Sequence, residues 1–231
     1  DAGNSSQAQQ TINVVDTTAP EFTFVPSEYT SECSDALILD DALASDNCGE
    51  VSIEVASETI PGNAAGNYTV VRTFTATDDA GNSSQAQQTI NVVDTTAPEL
   101  VIPDDYTSEC SEGLVLEAPQ AEDNCGSASI ATEVETIPGN AAGNYTVVRT
   151  FTATDDAGNS TVATQTITVV DTTAPEFTSV PSDYTSECSV DLILDNASAY
   201  DNCSDVAIEV SSETIAGDAA GNYTVVRTFA A

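Results

Sequence analysis

The sequence predicts an all-β fold of tandem immunoglobulin-like β-sandwich modules set in an extended array. The first observation is internal repetition. Residues 1–21, DAGNSSQAQQTINVVDTTAPE, recur unchanged as residues 79–99, and residues 58–83 recur unchanged as residues 135–160. The block DTTAPE begins at Asp16, Asp94 and Asp171, at nearly equal intervals that set the length of one module. Self-similarity with a whole-module period marks a tandem array. The second observation is composition: 40 % hydrophobic residues, with no Met and no Trp, in a chain dominated by Thr, Val, Ala, Ser, Asp and Gly. Such a β-branched, turn-rich mixture favours short strands and tight loops over helices. The third is apolar–polar alternation interrupted by turn clusters.

The repeats divide the chain into four parts. Residues 1–15 read as the last strand of a preceding, truncated module; residues 16–93 and 94–170 are complete modules; residues 171–231 are a module lacking its last strand. Asp1 aligns with Asp79 and Ala231 with Ala76, and there is no initiator Met or basic, apolar leader. A longer parent protein is the expectation.

Within residues 16–93 the elements come in order. Asp16–Pro20 is a linker whose proline holds the preceding residue extended. Phe22–Val25 is a first strand, broken at Pro26 and continued by Glu28–Cys33. Leu37–Leu39 is a short apolar strand, and Ala44–Glu50 a loop. Val51, Ile53 and Val55 alternate with polar residues, as in a half-buried strand. The cluster PGNAAGN at Pro61–Asn67 is a turn. Tyr68–Thr77 is the strongest strand, and Ser84–Val93 pairs with it across the DDAGN turn, with Ala86, Ile90 and Val92 on one face. About seven short strands separated by turns is the pattern of an immunoglobulin-like sandwich. Alternation also puts Arg72 on the apolar face of its strand, as it does Arg149 and Arg227. Either a bulge turns these side chains outward or, as favoured here, each is paired with a carboxylate at the core edge.

Six cysteines fall two per module, Cys33 and Cys48, Cys110 and Cys125, Cys188 and Cys203, with the same separation each time. Repeat symmetry selects one bond within each module, in an oxidising, extracellular compartment. A loop of that length contributes on the order of 3 kcal/mol through the unfolded state. Zinc is the other reading, but two thiols per module without histidine leave too few soft ligands. One difficulty stands against the intramodular bond. If Cys33 ends the first strand and Cys48 sits in the later loop, the two fall at opposite poles, whereas bonded Cα atoms lie within about 7 Å. Either the Leu37–Leu39 strand is misplaced or the first strand folds back.

Charge is the most unusual property. With 38 acidic residues, three arginines, no lysine and no histidine, the formal net charge is −35. Such a chain repels nucleic acid and anionic membrane surfaces, and no apolar run approaches the roughly 20 residues that cross a bilayer. It invites hard divalent cations instead. In an immunoglobulin-like sandwich the entry linker and two loops gather at one pole. Here they carry Asp16, Asp46, Asn47, Asp78, Asp79 and Asn82 in one module, and Asp94, Asp123, Asn124, Asp155, Asp156 and Asn159 in the next. The third retains Asp171, Asp201 and Asn202. Calcium at these poles would stiffen the hinge between modules; the alternative is that Asp and Asn only form turns there. An acidic, solvated surface of the kind suited to salty surroundings is a further reading of the charge. Asn67, Asn144 and Asn222 stand in weak Asn-x-Thr matches to a glycosylation pattern.

The motifs VVDTTAPEF, ATDDAGN and the pair YTSEC…DNC resemble hyalin-repeat-like (HYR-like) and bacterial immunoglobulin-like modules, once per repeat over essentially the whole chain. Such modules occur in giant surface proteins of gliding and filament-bearing Bacteroidota exported by the type IX route. The resemblance implies an extracellular stalk, adhesin or grappling-hook-like filament, with calcium at module joints.

The leading functional reading is a structural segment that projects an adhesive tip, for a cell-surface glycan or prey cell, or that builds a filament. Its partners are the neighbouring repeat modules and identical chains in a filament or bundle. A calcium-dependent carbohydrate-binding module is the alternative, with Tyr29, Tyr106 and Tyr184 as candidate sugar platforms. An enzyme is not expected: without His, Lys or a free Cys, the usual general bases and nucleophiles are missing.

Overall fold

The computed structural model describes residues 3–231, and among them every regular element is a β-strand. The first complete copy forms β1 (Glu21–Phe24), β2 (Tyr29–Glu32), β3 (Leu43–Ser45), β4 (Val51–Pro61), β5 (Tyr68–Asp78) and β6 (Ser83–Val93). The second repeats them as β7 (Glu99–Val101), β8 (Tyr106–Glu109), β9 (Gln120–Glu122), β10 (Ala128–Pro138), β11 (Tyr145–Asp155) and β12 (Ser160–Val170). The third forms β13 (Glu176–Ser179), β14 (Ser198–Tyr200), β15 (Glu209–Ala216) and β16 (Tyr223–Ala230).

Each complete copy is an immunoglobulin-like two-sheet module. In the first, a four-stranded sheet of order β2-β6-β5-β4 accompanies a two-stranded sheet of β1 and β3. The second has β8-β12-β11-β10 and β7-β9. A complete copy thus has six strands rather than about seven. Pro26 ends β1, as its missing N–H dictates. The segment after it does not continue that strand, however: β1 pairs antiparallel with β3, whereas β2 pairs in parallel with β6 in the other sheet. Leu37–Leu39 is not a strand either. The Tyr29 hydroxyl accepts from Ile38 N at 2.8 Å and donates to Ile38 O at 3.0 Å, so a side chain satisfies this backbone in place of a ladder. The short strand falls instead at Leu43–Ser45, partly inside the expected loop.

By compactness the chain divides into two units. One holds the described residues up to Glu99 together with Ala121–Ser129 and Ala153–Thr161. The other holds Leu100–Gln120, Ile130–Thr152 and Val162–Ala231.

The core of the first copy follows the alternation of β5 and β6. Val70, Phe74, Ala76, Ile90 and Val92 are buried, with Tyr29, Leu37 and Tyr68 packed against part of this cluster. Arg72 is buried on the same face, neither rotated outward by a bulge nor paired with a carboxylate as expected. Its Nη1 donates to Asp40 O at 2.8 Å and to Gln88 Oε1 at 2.9 Å, and its guanidinium lies 4.9 Å from the Phe74 ring centre. Gln88 Nε2 in turn donates to Ser27 O at 2.8 Å. A fully charged donor is thereby satisfied by a carbonyl, an amide oxygen and a π face, which keeps the cation from being stranded. Arg149, Glu117, Gln165 and Phe151 repeat the arrangement.

Identical sequences behave differently in different copies. Residues 5–15 match Ser83–Val93 letter for letter, yet they form no strand. Residues 184–187 repeat the YTSE of β2 and β8 and are also not a strand.

Arg72→Leu should lower stability by about 1–3 kcal/mol, the cost of orphaning the buried Gln88 oxygen. Adding Gln88→Leu should recover part of that loss, read from urea-denaturation midpoints of the two variants.

Candidate functional site, the joint between modules

The chain has two joints, each lying wholly within one compact unit. At the first, the end of β2, the Pro61–Asn67 turn and the linker from Asp94 meet the loops of the following copy around Asp123 and Asp155. The parallel pairing of β2 with β6 organises this end. It runs to Glu32 opposite Val93, and Cys33 N continues it by donating to Val93 O at 3.0 Å. Cys33 therefore stands at the exit of its own module.

This placement overturns the intramodular pairing. Cys33 is bonded to Cys125 of the next copy, with Cα atoms 5.9 Å apart, and Cys110 is bonded to Cys203, with Cα atoms 5.7 Å apart. Cys48 and Cys188 are free and exposed, so the expectation that all six cysteines pair within modules fails. The physical reason is polarity: β2 carries the first cysteine of a copy to its exit, whereas the second sits in the entry loop. Each entry loop is held in the same turn, with Cys48 N, Cys125 N and Cys203 N donating at 2.8 Å to Asp46, Asp123 and Asp201. The bridged segments span 92 and 93 residues, for which chain entropy implies on the order of 4–5 kcal/mol of stabilisation.

Polar contacts ring each bridge. Glu32 accepts from Thr95 N at 3.0 Å, Thr95 Oγ1 at 2.7 Å and Thr96 Oγ1 at 3.1 Å, which fastens the linker to the preceding module. The Thr95 hydroxyl and amide hold the Glu32 carboxyl below its ordinary range, outweighing the effect of burial. Glu109 is lowered in the same way, first by Thr172. Asn67 Oδ1 accepts from Asp94 N at 2.7 Å, and Asn144 Oδ1 from Asp171 N at 2.7 Å, so both asparagines are committed to the joint. Gly66 has φ +79°, and a β-carbon there would lie 2.9 Å from Cys125 Cβ. The PGNAAGN turn thus packs directly against the bridge.

Two carboxylate trios occupy the entry poles. Oxygens of Asp16, Asp46 and Asp78 lie within 4.8 Å of one another, as do those of Asp94, Asp123 and Asp155. The DDAGN turn shapes both. Asn82 donates through N to Asp78 Oδ1 at 2.8 Å and through Nδ2 to Asp78 Oδ2 at 2.9 Å, with Nδ2 also 3.4 Å from Asp16 O. Asn159 does the same for Asp155 and Asp94 O. Asp78 is held low chiefly by the Asn82 side chain. For Asp155 burial raises the pKa, and the hydrogen bonds from Asn159, Gly158 and Ala157 overcome it, so the net shift is downward. Asp94 is pushed upward, by burial first and then by the Asp123, Asp155 and Glu32 carboxylates. Asp123 Oδ2 is buried without a hydrogen-bond partner.

The remaining expected residues separate from these trios. Asp156 Oδ2 accepts from Ser127 Oγ at 3.0 Å and so fastens its entry loop, whereas Asp79 lies beside Gly49 in the corresponding position, where Glu50 replaces the serine. Asn82 and Asn159 offer donors to the acids around them. Asn124 lines an open cleft with Glu122 and Asp123. Asn47 makes no side-chain hydrogen bond among those described. Among the described residues Asp171 groups with Glu109, Cys110 and Cys203, Asp201 holds the turn at Cys203, and Asn202 Nδ2 reaches Glu109 Oε1 at 3.5 Å. The groups Glu32, Cys33, Asp94, Cys125 and Glu109, Cys110, Asp171, Cys203 also converge. Their sulfurs are bonded to each other and supply no thiolate, so these are bridges ringed by acid rather than soft-metal sites. Sequence reasoning missed Glu32, Glu109, Asn67 and Asn144; the recurrence of Glu before the first Cys of every copy was the available signal.

Comparison with known proteins agrees with this architecture. Residues 98–169 match the HYR-like domain with 4 cysteines, and residues 40–95 match the bacterial Ig-like domain. The matched residues 98–169 hold two cysteines, Cys110 and Cys125, each bonded to another copy. Hyalin of Lytechinus variegatus is 34 % identical over 168 residues, covering 65 % of this chain and 31 % of that protein. The chain thus spans under a third of the curated relative it matches. Among solved structures, human CDH23 EC21-23 aligns over 85 % of this chain and 84 % of its own at 16 % identity and a TM-score of 0.33. Drosophila N-cadherin EC1-4 aligns over 67 % and 50 % at 16 % identity and a TM-score of 0.31. Similarity at that level identifies no shared function.

Gly66→Ala and Gly81→Ala both force a β-carbon onto a positive φ, but only the first meets the bridge, since nothing lies within 4 Å at Gly81. Gly66→Ala should therefore cost about 1–3 kcal/mol more than Gly81→Ala, by overpacking, in thermal or urea unfolding. Glu32 and Glu109 have lowered pKa values, so their contribution is fully present above the ordinary glutamate value and is lost as pH falls through the lowered one. The melting temperature should fall across that acid window, and Glu32→Gln with Glu109→Gln should flatten the fall.

Proposed function

We propose that this chain is a structural segment of an extracellular stalk, adhesin or filamentous appendage, in which calcium assists a disulfide at each joint. The observation that carries the reading is the repeated joint itself. Two successive copies are bonded to the next by the same pair of positions, and the same acid trio stands at two successive entry poles. Disulfides persist in oxidising, extracellular surroundings. A bond between copies limits bending at the hinge, which is what a projecting stalk requires.

The donor set fits calcium. Calcium binds carboxylate and carbonyl oxygens at about 2.3–2.6 Å, so two ligand oxygens on one ion lie no more than about 5 Å apart. The trios of Asp16, Asp46, Asp78 and of Asp94, Asp123, Asp155 meet that condition. The partnerless buried oxygen of Asp123 and the raised pKa of Asp94 mark a site where a cation would satisfy an orphaned acceptor and relieve repulsion. When bound, the ion would supply charge neutralisation and cross-bracing between linker and loops.

The motifs VVDTTAPEF, ATDDAGN and YTSEC…DNC support the finer proposal, a giant surface protein of Bacteroidota exported by the type IX route. Its partners would be neighbouring repeats and identical chains, with the contact to a glycan or prey cell made by a tip elsewhere in the parent. The sugar-binding alternative has weaker support, because the hydroxyls of Tyr29, Tyr106 and Tyr184 are bonded to the backbone of Ile38, Val115 and Ile193. No catalytic role is assigned: the two free thiols have no histidine or lysine in the sequence to activate them.

Calcium should raise the melting temperature and chelator should reverse the effect, with about 2.7 kcal/mol of added stability when calcium is a hundredfold above its dissociation constant. Asp123→Asn and Asp155→Asn should reduce the response. An unchanged melting curve would remove calcium from the account and leave the disulfide joint standing.

A further inference from the structure

Asp94 belongs to two groups of side chains at the first joint. It is one of the acid trio with Asp123 and Asp155, and it is one of the four residues, with Glu32, Cys33 and Cys125, gathered at the bridge. In each group the ligand-type atoms lie within 4.8 Å of one another. Asp123 is the second point of contact between trio and bridge. Its Oδ1 accepts from Cys125 N at 2.8 Å, and its Oδ2 is buried without a hydrogen-bond partner. The bond thus joins two backbone segments that each carry an acid of the trio. Cys33 N donates to Val93 O at 3.0 Å, next to Asp94, and Cys125 follows Asp123 by two residues. The Pro61–Asn67 turn packs against both: Asn67 Oδ1 accepts from Asp94 N at 2.7 Å. A β-carbon at Gly66 would lie 2.9 Å from Cys125 Cβ and 3.4 Å from Asp94 Cβ. All of these residues fall within one compact unit.

We infer that the Cys33–Cys125 bond sets the cation affinity of the Asp94, Asp123, Asp155 trio, so that oxidation of the joint and calcium binding promote one another. Calcium at the trio, as proposed above, is the premise. Three carboxylates this close repel one another and part unless something holds them. The bond does so: it ties the linker, through Cys33 and Val93, to the entry loop, through Cys125 and Asp123. With the bond closed, the acids are assembled before the ion arrives. With it open, the assembled arrangement exists for only a fraction of the time, and the apparent affinity falls by that fraction. The dependence is reciprocal. Whatever factor the bond adds to calcium affinity, calcium adds to the stability of the bond against reduction. A bound ion draws Asp94 and Asp123 together and keeps the two sulfurs within reach, which favours reclosure. Opening the bond takes two electrons and two protons from a dithiol such as dithiothreitol, whose own sulfurs close into a cyclic disulfide.

Calorimetric titration of calcium into the full chain is the first test, in an Asp16→Asn, Asp46→Asn background that silences the other trio. Removing the bond by Cys33→Ser with Cys125→Ser should weaken calcium binding about tenfold. Equal affinity with and without the bond overturns the inference and leaves the calcium reading intact. No calcium binding by the bonded chain sinks that reading, and this inference with it. The reciprocal arm needs no cysteine substitution, so it does not depend on how the unbridged variant folds. In dithiothreitol redox buffers, the fraction of Cys33 and Cys125 open to alkylation is read by mass spectrometry. Saturating calcium should shift that equilibrium about tenfold toward the bond. Asp123→Asn, which keeps an acceptor for Cys125 N, should abolish the shift. An equilibrium that calcium leaves unchanged, or one that shifts as much in Asp123→Asn, overturns the inference.

Discussion

The parallel pairing of β2 with β6 is the constraint on which the rest of this architecture depends. A parallel neighbour sends the chain toward the same end of the module as β6 itself, so the residues after β2 arrive where the next module begins. That single choice of direction places Glu32 against the linker threonines and Cys33 against the entry loop of the following copy. Were β2 antiparallel to β6, its cysteine would point to the entry pole and an intramodular bond to Cys48 would become geometrically accessible.

Much of this was legible in the residues. Alternation identified the buried face of β5 and β6, and Pro26 marked the end of β1. In two copies, one acid from each of the DTTAPE, DNC and DDAGN segments lies beside the other two. What failed was non-local. Repeat symmetry is equally compatible with bonds inside a copy and bonds displaced by one copy, and spacing cannot distinguish them. Only strand direction can, and direction is set by β6, which β2 meets only after three intervening strands have been laid down. The conflict over Cys33 and Cys48 at opposite poles resolves in a different partner for Cys33, together with redrawn strands: Leu37–Leu39 forms no ladder, and the segment after Pro26 joins the other sheet. Leu37–Leu39 misled because apolar residues tied down by a tyrosine hydroxyl look, in sequence, like a short strand. Arg72 misled because a cation on an apolar face suggests a carboxylate, whereas a glutamine, a carbonyl and a ring suffice.

The charge distribution belongs to the same picture. A formal charge of −35 would push modules apart, and self-repulsion generally opposes compact association. At the joint this is countered locally: threonine and asparagine donors stabilise Glu32, Asp78 and Asp155 as anions, while a covalent bond holds the copies together regardless of pH and salt. Asp94 and the partnerless Asp123 oxygen are the places where that compensation stops short. The joint thus combines a covalent bond with acids that neighbouring donors hold as anions.

Mass-spectrometric mapping of the unreduced, freshly folded chain after cleavage beside its abundant acidic residues tests the central claim most directly. The architecture requires linked peptides containing Cys33 with Cys125 and Cys110 with Cys203, with Cys48 and Cys188 open to alkylation. Recovery of Cys33 with Cys48, Cys110 with Cys125 and Cys188 with Cys203 would contradict it and return each module to independence.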